Sequence, residues 1–380
     1  MAKGYQNFMM GHTGVVAECY EYDKLDTDVS EINAGNLSFV SCDEQSETVV
    51  VDELWTYFSP IILFLGIFGN MMAVLVFVFR RVGKKATRLL LVLLSVFDLL
   101  VLLTGLLRHW LFAISGVDVR SSSDAGCAIH KIIVYWSLQC AAFTLVLVTI
   151  DRLVVVCFPQ RAHQICTVPK AAVTESVFVG LLLLMDTLSF YEDHLLLDGT
   201  VGYVCTRSTD NLLYRVFPYL DWALFSFIPL IIIVSCNIMM ILKIRTTNNR
   251  RKNVVVTRHS DHMRMSGVSR MLFTVNLIFF FTTLPISLLL IIDMELDVAG
   301  RDEKEAILVA FTVTSLLQYT NNACNFYLYC IHSSQFRKEF KSLFCICRRR
   351  FNAEVSPAET SLTPARSVET RLDETFAVEM

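Results

Sequence analysis

The chain has 380 residues, 54% of them hydrophobic and 18% charged, with a mean hydropathy of +0.51. That balance lies above the range of soluble globular chains and excludes an ordinary water-soluble domain. The formal net charge of −3 says little as a total, because the signs are segregated along the chain.

A bilayer's hydrocarbon core needs about 20 mostly apolar residues per spanning helix. Taken in order, the apolar runs are Leu54–Phe79, Leu89–Leu107, Ile132–Ile150, Val177–Tyr191, Ala223–Leu242, Met271–Ile292 and Ala306–Ile331. Five of them contain no Asp, Glu, Lys or Arg; the second carries only Asp98 and the fourth, also the shortest, only Asp186. Seven spans are predicted, an all-α membrane bundle over residues 54–331. Around it lie an acidic tail at 1–53, an amphipathic segment at 332–347 and a polar tail at 348–380.

The loops fix the expected orientation. Residues 80–88 hold five cations in nine positions, and 243–270 hold eight against Asp261 alone. Residues 1–53 carry eleven acids against Lys3 and Lys24, and 293–305 carry six against Arg301 and Lys304. Loops rich in Lys and Arg stay cytoplasmic. The N-terminus is therefore expected outside and the C-terminus inside. Met1–Tyr22 lacks the basic start and apolar core of a cleavable signal, so the first span is expected to serve as its own insertion signal. Asn36-Leu37-Ser38 forms a glycosylation sequon on the outer side.

Of twelve cysteines, only Cys19, Cys42, Cys127 and Cys205 fall on the extracellular side, where disulfides persist. A Cys127–Cys205 bridge would staple the second outer loop over the mouth of the bundle, and Cys19–Cys42 is a weaker pairing. Cys345 and Cys347 lie beside basic residues just past the last span, where palmitoylation or two unmodified thiols both fit.

From about Leu54 to Cys347 the chain resembles the rhodopsin-like G-protein-coupled receptors, and several motifs carry the likeness. Gly69-Asn70 sits in span one, Asp98 in span two, and Trp110-Leu111-Phe112 in the first outer loop. Cys127 opens span three; Asp151-Arg152 closes it, with Pro159 in the next loop. Pro229 lies in span five, Phe279 and Pro285 in span six, and Asn325-Phe326-Tyr327-Leu328-Tyr329 ends span seven. Residues 333–340 then read as a short helix along the inner membrane face. Some positions depart from the family pattern: Leu153 replaces a tyrosine, Phe326 a proline, Thr283 a tryptophan and Asn237 a tyrosine, and span four has no tryptophan.

The resemblance implies roles. Asp98, with Asn70, Asn321, Asn322 and Asn325, would form a polar core able to hold a sodium ion, although Ala141 replaces a family serine. Water bridging the same groups is the alternative. An acid at this depth must be hydrated, paired or protonated. Arg152 would pair with Asp151 at rest and meet the G protein when active. Asp151, Arg152, Pro159, Phe279, Pro285, Asn325 and Tyr329 are thus the expected activation residues. The residue that would complete a longer inter-helix lock resembles Met265, which cannot pair with arginine, so raised basal activity is expected and Met265→Glu should lower it.

Val134 stands where amine receptors carry an aspartate, and Tyr319 where opsins carry a lysine, so the resemblance disfavours monoamines and retinal. Arg108, Asp221 and Asp293 are the charges near the outer half. Tyr135, Gln139, Gln318 and Tyr319 would line the same cavity. Asp221 and Arg108 are expected to form opposite walls of the ligand site.

A neuropeptide receptor at the plasma membrane, most like invertebrate ones, is the leading reading. The expected partners are an extracellular peptide, a heterotrimeric G protein, arrestin and membrane lipids; nucleic acid and organic cofactors are not expected. A chemosensory or lipid receptor is the alternative within the family, and a seven-span transporter or channel the alternative outside it. No span is broken by paired glycines and no inverted repeat is visible, which weighs against transport. An enzyme is not expected, because nucleophile–base spacing, a metal cluster and a phosphate loop are all missing from the sequence. Arg250-Arg251-Lys252 would meet anionic lipid. Phosphorylation of the Ser- and Thr-bearing tail would build an arrestin-binding strip.

Overall fold

A computed structural model describes residues 45–80, 82–191, 193–198, 202–206, 212–254, 267–295 and 301–343. Seven long helices carry the chain up to Glu339: α1 (Gln45–Phe79), α2, α3 (Asp124–Cys157), α4 (Val168–Phe190), α5, α6 (Gly267–Glu295) and α7 (Arg301–His332). Two of them are interrupted by single wide turns. In α2, Lys85–Val101 passes through a π turn at Leu102–Leu106 into Leu107–Ser115; α5 runs Leu212–Trp222, a π turn at Ala223–Phe227, then Ile228–Val254. Such π turns inside α-helices often mark functional sites.

Each helix outruns the apolar segment that announced it. The largest difference is in α5, expected over Ala223–Leu242 but running from Leu212 to Val254; α4, expected over Val177–Tyr191, starts at Val168. Pro169 sits in its first turn, where a missing N–H costs nothing. Glu175 had cut the apolar run short, yet it lies inside the protein, accepting a 2.5 Å hydrogen bond from the Thr144 hydroxyl of α3.

Six helices are long and apolar enough to cross a membrane. The seventh, α7, spends its polar residues inward: Gln318, Asn321, Asn322 and Asn325 are all buried. The outer surface is correspondingly apolar, with Phe64, Phe79, Leu181 and Phe281 exposed around the bundle. A coat of large apolar side chains is the surface a bilayer solvates.

Close packing of α1 on α7 needs small residues. A Cβ at Gly66 would fall 2.4 Å from Leu102 and 3.0 Å from Ala323, so glycine is what lets these helices touch. At the inner end, Phe326 occupies the family's proline position, and α7 runs on unbroken to His332. Its ring meets Phe336 at 5.8 Å, and Phe336 in turn packs on Phe77 and Tyr329 at 5.3 and 5.6 Å. Phe336 lies in a further helix that begins at 334. Residues 340–380 form a separate unit, of which 340–343 are described, as helix.

Between α4 and α5 the chain forms a hairpin that the sequence did not announce. Its strands β1 (His194–Asp198) and β2 (Gly202–Thr206) pair antiparallel, with Leu195 opposite Cys205. Three links pin it to α3. The expected Cys127–Cys205 disulfide is present, Lys131 Nζ pairs with Asp193 at 2.8 Å, and the Leu195 N–H donates to Asp124 at 2.7 Å.

Candidate functional site

The polar core assembles around Asp98, which is 1% exposed. Its two carboxylate oxygens accept N–H bonds from Asn322 and Asn325 at 2.8 and 2.7 Å, and Asn70 donates to the Asn322 carbonyl at 2.9 Å. A small cavity of about 20 Å³ adjoins them, lined also by Gln318, Thr283, Phe279 and Ala141. On its wall the side-chain oxygens of Asn321 and Thr283 have no partner among the described residues. One carboxylate with unpaired oxygens beside it is a donor set that fits a small hard cation. Asn322 and Asn325 turn nitrogen toward Asp98, and Ala141 supplies no oxygen, so the set is thinner than the resemblance implied.

At the inner end of α3, the Thr87 hydroxyl of α2 donates to Asp151 at 2.7 Å. Arg152 donates to the same Thr87 oxygen and lies 3.4 Å from the Asp151 carboxylate. Both residues are buried. The arginine is thus held by its neighbour and by α2, while Pro159 stands exposed in the following loop. Outside the spans, burial pushes the Cys166 thiol up to about 11, and the Asp151 carboxylate adds to the effect. That thiol donates to the Asp151 carbonyl at 3.8 Å. Deeper in, the Thr149 hydroxyl of α3 donates to Asn276 of α6, and Asn276 donates to Asn237 of α5. Sequence reasoning missed this chain, because it treated Asn237 only as a lost tyrosine. Phe279 and Tyr329 are buried, and Pro285 lies within α6.

Among the described residues, the expected ligand residues fall into two contact groups. Gln139, fully buried, donates its amide N–H to Asp221 of α5 at 2.9 Å and to Asp186 of α4 at 3.4 Å. Asp186 had been noted only as a charge within span four; one of its oxygens and the Gln139 carbonyl have no partner. Tyr135, one helical turn from Gln139, stacks on Phe190 at 4.9 Å and meets Phe217 edge-on at 5.4 Å. These residues make a buried acidic cluster beside aromatic rings, between α3, α4 and α5.

The second group lies between α1, α2 and α7. Tyr319 packs edge-on against Trp55 and tilted against His109, both at 6.4 Å, and Trp55 stacks on His109 at 4.3 Å. Arg108 does not stand open as a wall: its Nε and Nη2 each bond an oxygen of Asp118 at 3.2 Å. Asp118 also receives Arg120. Burial alone would push the Asp118 carboxyl up, but Arg108 and Arg120 outweigh it and hold the group well below the ordinary carboxylate range. Neither Asp118 nor Arg120 drew notice in the sequence, since both lie outside every apolar run. Gln318 belongs to neither group and lines the Asp98 cavity.

Asp293 lies in α6, but its side chain is outside the described residues, as are Cys19, Asn36, Cys42, Met265, Cys345, Cys347 and the tail.

Comparison with known proteins agrees with this architecture. The family of "7 transmembrane receptor (rhodopsin family)" matches residues 69–329. The chain is 24% identical to human C-C chemokine receptor type 1 over 320 residues, covering 80% of this chain and 82% of the relative. It is 25% identical to the human thyrotropin-releasing hormone receptor over 321 residues, covering 76% and 77%. With the mouse probable C-C chemokine receptor type 3 it shares 24% over 312 residues, 78% and 81% of the two chains. These relatives are receptors and not enzymes.

Proposed function

Because the chain belongs to the rhodopsin family of seven-transmembrane receptors, we propose that it is a receptor for an extracellular peptide of the neuropeptide class, coupling to a heterotrimeric G protein. The family match sets aside the transporter and channel readings. The observation that carries the peptide reading is the buried cluster in which Gln139 holds Asp186 and Asp221, one helical turn from the Tyr135–Phe190–Phe217 rings. A buried pair of acids beside aromatic rings suits a cationic side chain or N-terminus with apolar neighbours. The relatives' own names, receptors of C-C chemokines and of thyrotropin-releasing hormone, support the same class.

The orientation proposed is N-terminus outside, at the plasma membrane, on the strength of the basic loops between spans and the disulfide-tethered hairpin. The acidic tail at 1–53 would then draw a cationic peptide in at long range, an effect that falls with salt. Arg152 is the proposed contact with the G protein, the tail beyond 347 the arrestin strip, and Cys345 and Cys347 the lipid anchor.

Ligand-dependent GTPγS exchange in membranes, screened with a peptide library, tests the reading. Saturable exchange driven by one basic peptide is the expected result. Exchange driven by lipids or odorants while every peptide stays silent would transfer the site to the chemosensory or lipid reading.

A further inference from the structure

Two buried arginines at one end of the bundle share a single carboxylate. Arg108 lies in the last segment of α2, Leu107–Ser115, and Arg120 in the short 3-10 turn Val119–Ser122; they are 8% and 5% exposed. Asp118 receives Arg108 at 3.2 Å on each oxygen and Arg120 at 2.6 Å, and its Oδ1 also accepts the Arg120 backbone N–H at 3.0 Å. An arginine does not shed its charge in a protein. The cluster therefore carries one positive charge more than it balances. Among the described residues, Asp193 pairs with Lys131 and Asp124 accepts the Leu195 N–H.

The geometry leaves donors as well as charge. Asp118 takes the Nε and Nη2 edges of both guanidinium groups, and neither Nη1 has a partner among the described residues. Tyr319 is within electrostatic range of Arg108. Its hydroxyl sits over Gly105, where an added Cβ would come within 2.7 Å, so the π turn of α2 keeps room for it. Two preoriented guanidinium groups with spare N–H donors and a neighbouring phenol form a receiver for an oxyanion.

We propose that Arg108 and Arg120, set by Asp118, receive a carboxylate or sulfate group of the ligand. This rests on the receptor reading above and deepens it: the ligand would be zwitterionic, its cationic part at Asp221 and its anionic part here. Arg120 is a specificity-determining residue in that scheme and Asp118 a positioning one.

The test uses the full chain in maltoside detergent, which has no phosphate headgroup, and follows its thermal unfolding. The probes are O-sulfotyrosine and N-acetyltyrosine, with N-acetyltyrosinamide as the neutral counterpart. The acids should raise the unfolding midpoint and the amide should not. R120Q should weaken the acid probes about tenfold, the loss expected for a charge-assisted hydrogen bond. It should itself unfold no lower than wild type, because it leaves Arg108 and Asp118 balanced. R120K, which keeps the charge, should retain binding within a few-fold. Equal shifts from acid and amide, unchanged binding in R120Q, an R120Q that fails to fold, or complete loss in R120K would each overturn the proposal. A shift produced by added phosphatidylglycerol, with none from the acid probes, would also overturn it by making the occupant a lipid headgroup. No G protein enters this measurement, so a silent exchange assay would count against the receptor reading and leave this site standing.

Discussion

The Thr149 hydroxyl on α3 donates to Asn276 on α6 at 3.1 Å, and Asn276 reaches Asn237 on α5 at 3.4 Å. Three helices that bear the inner half of the bundle are thus joined by neutral side chains. The basic arginine lock is local, with Arg152 held by Asp151 and Thr87. In a membrane interior an inter-helix hydrogen bond contributes about 0.6–1.7 kcal/mol. If α6 moves away from α3 on activation, this link favours the resting state. Asn276→Leu should then raise unliganded GTPγS exchange by about threefold or more, and Thr149→Val should do the same. Basal exchange at or below wild type in both variants would remove the link from the resting lock.

Much of this architecture was legible, and the illegible part has a common cause. Apolar runs announced all seven helices, because bilayer thickness sets a minimum length that sequence reports directly. Asp98 with Asn322 and Asn325 could be read because motifs anchored both helices. Asp118, Arg120, Asp193 and Glu175 could not. Asp118, Arg120 and Asp193 lie outside the long helices and Glu175 lies ahead of its apolar run, where a charge looks solvated until a distant partner is known. The partner of Glu175 is 31 positions away and that of Lys131 is 62. Hydrophobic periodicity carries no information about such pairs.

Asp221 separates a ligand role from a structural one. Asp221→Asn keeps an oxygen for the Gln139 amide, so the 2.9 Å bond can persist while the charge is lost. A buried ligand cation left without its partner costs about 3–5 kcal/mol. Potency of the cognate peptide should therefore fall by about two orders of magnitude or more, with surface staining unchanged. Asp186, at 3.4 Å from the same amide, should tolerate Asn with a smaller loss. Normal potency in Asp221→Asn, or loss of the protein from the cell surface, would assign the aspartate to the fold.

The hairpin over the bundle depends on a buried ion pair. Lys131 and Asp193 have side chains 9% and 0% exposed and lie 2.8 Å apart. Removing one partner strands the other charge, at about 3–5 kcal/mol, whereas replacing both with apolar residues is often neutral. Lys131→Met should lower the unfolding midpoint and surface yield. The double variant Lys131→Met/Asp193→Leu should recover most of the loss, and a double variant worse than the single would refute the pair.

Asp118 gives a pH prediction with a definite sign. Its folded-state carboxyl lies well below the ordinary value, held there by Arg108 and Arg120 against the cost of burial. A group depressed on folding contributes stability that is fully present above its unfolded value, about 3.9, and is lost as pH falls through the folded one. The contribution is therefore complete at neutral pH and still complete at mildly acidic pH. Between about pH 7 and pH 5 it should stay flat. Asp118→Asn leaves two guanidinium groups facing each other without a counter-charge, a loss of about 3–5 kcal/mol. Unfolding midpoints measured across that window should show the variant below wild type by a constant amount. A gap that closes steadily as the pH drops from 7 to 5 would mean that burial raises the Asp118 carboxyl above its ordinary value and that the two arginines do not hold it down.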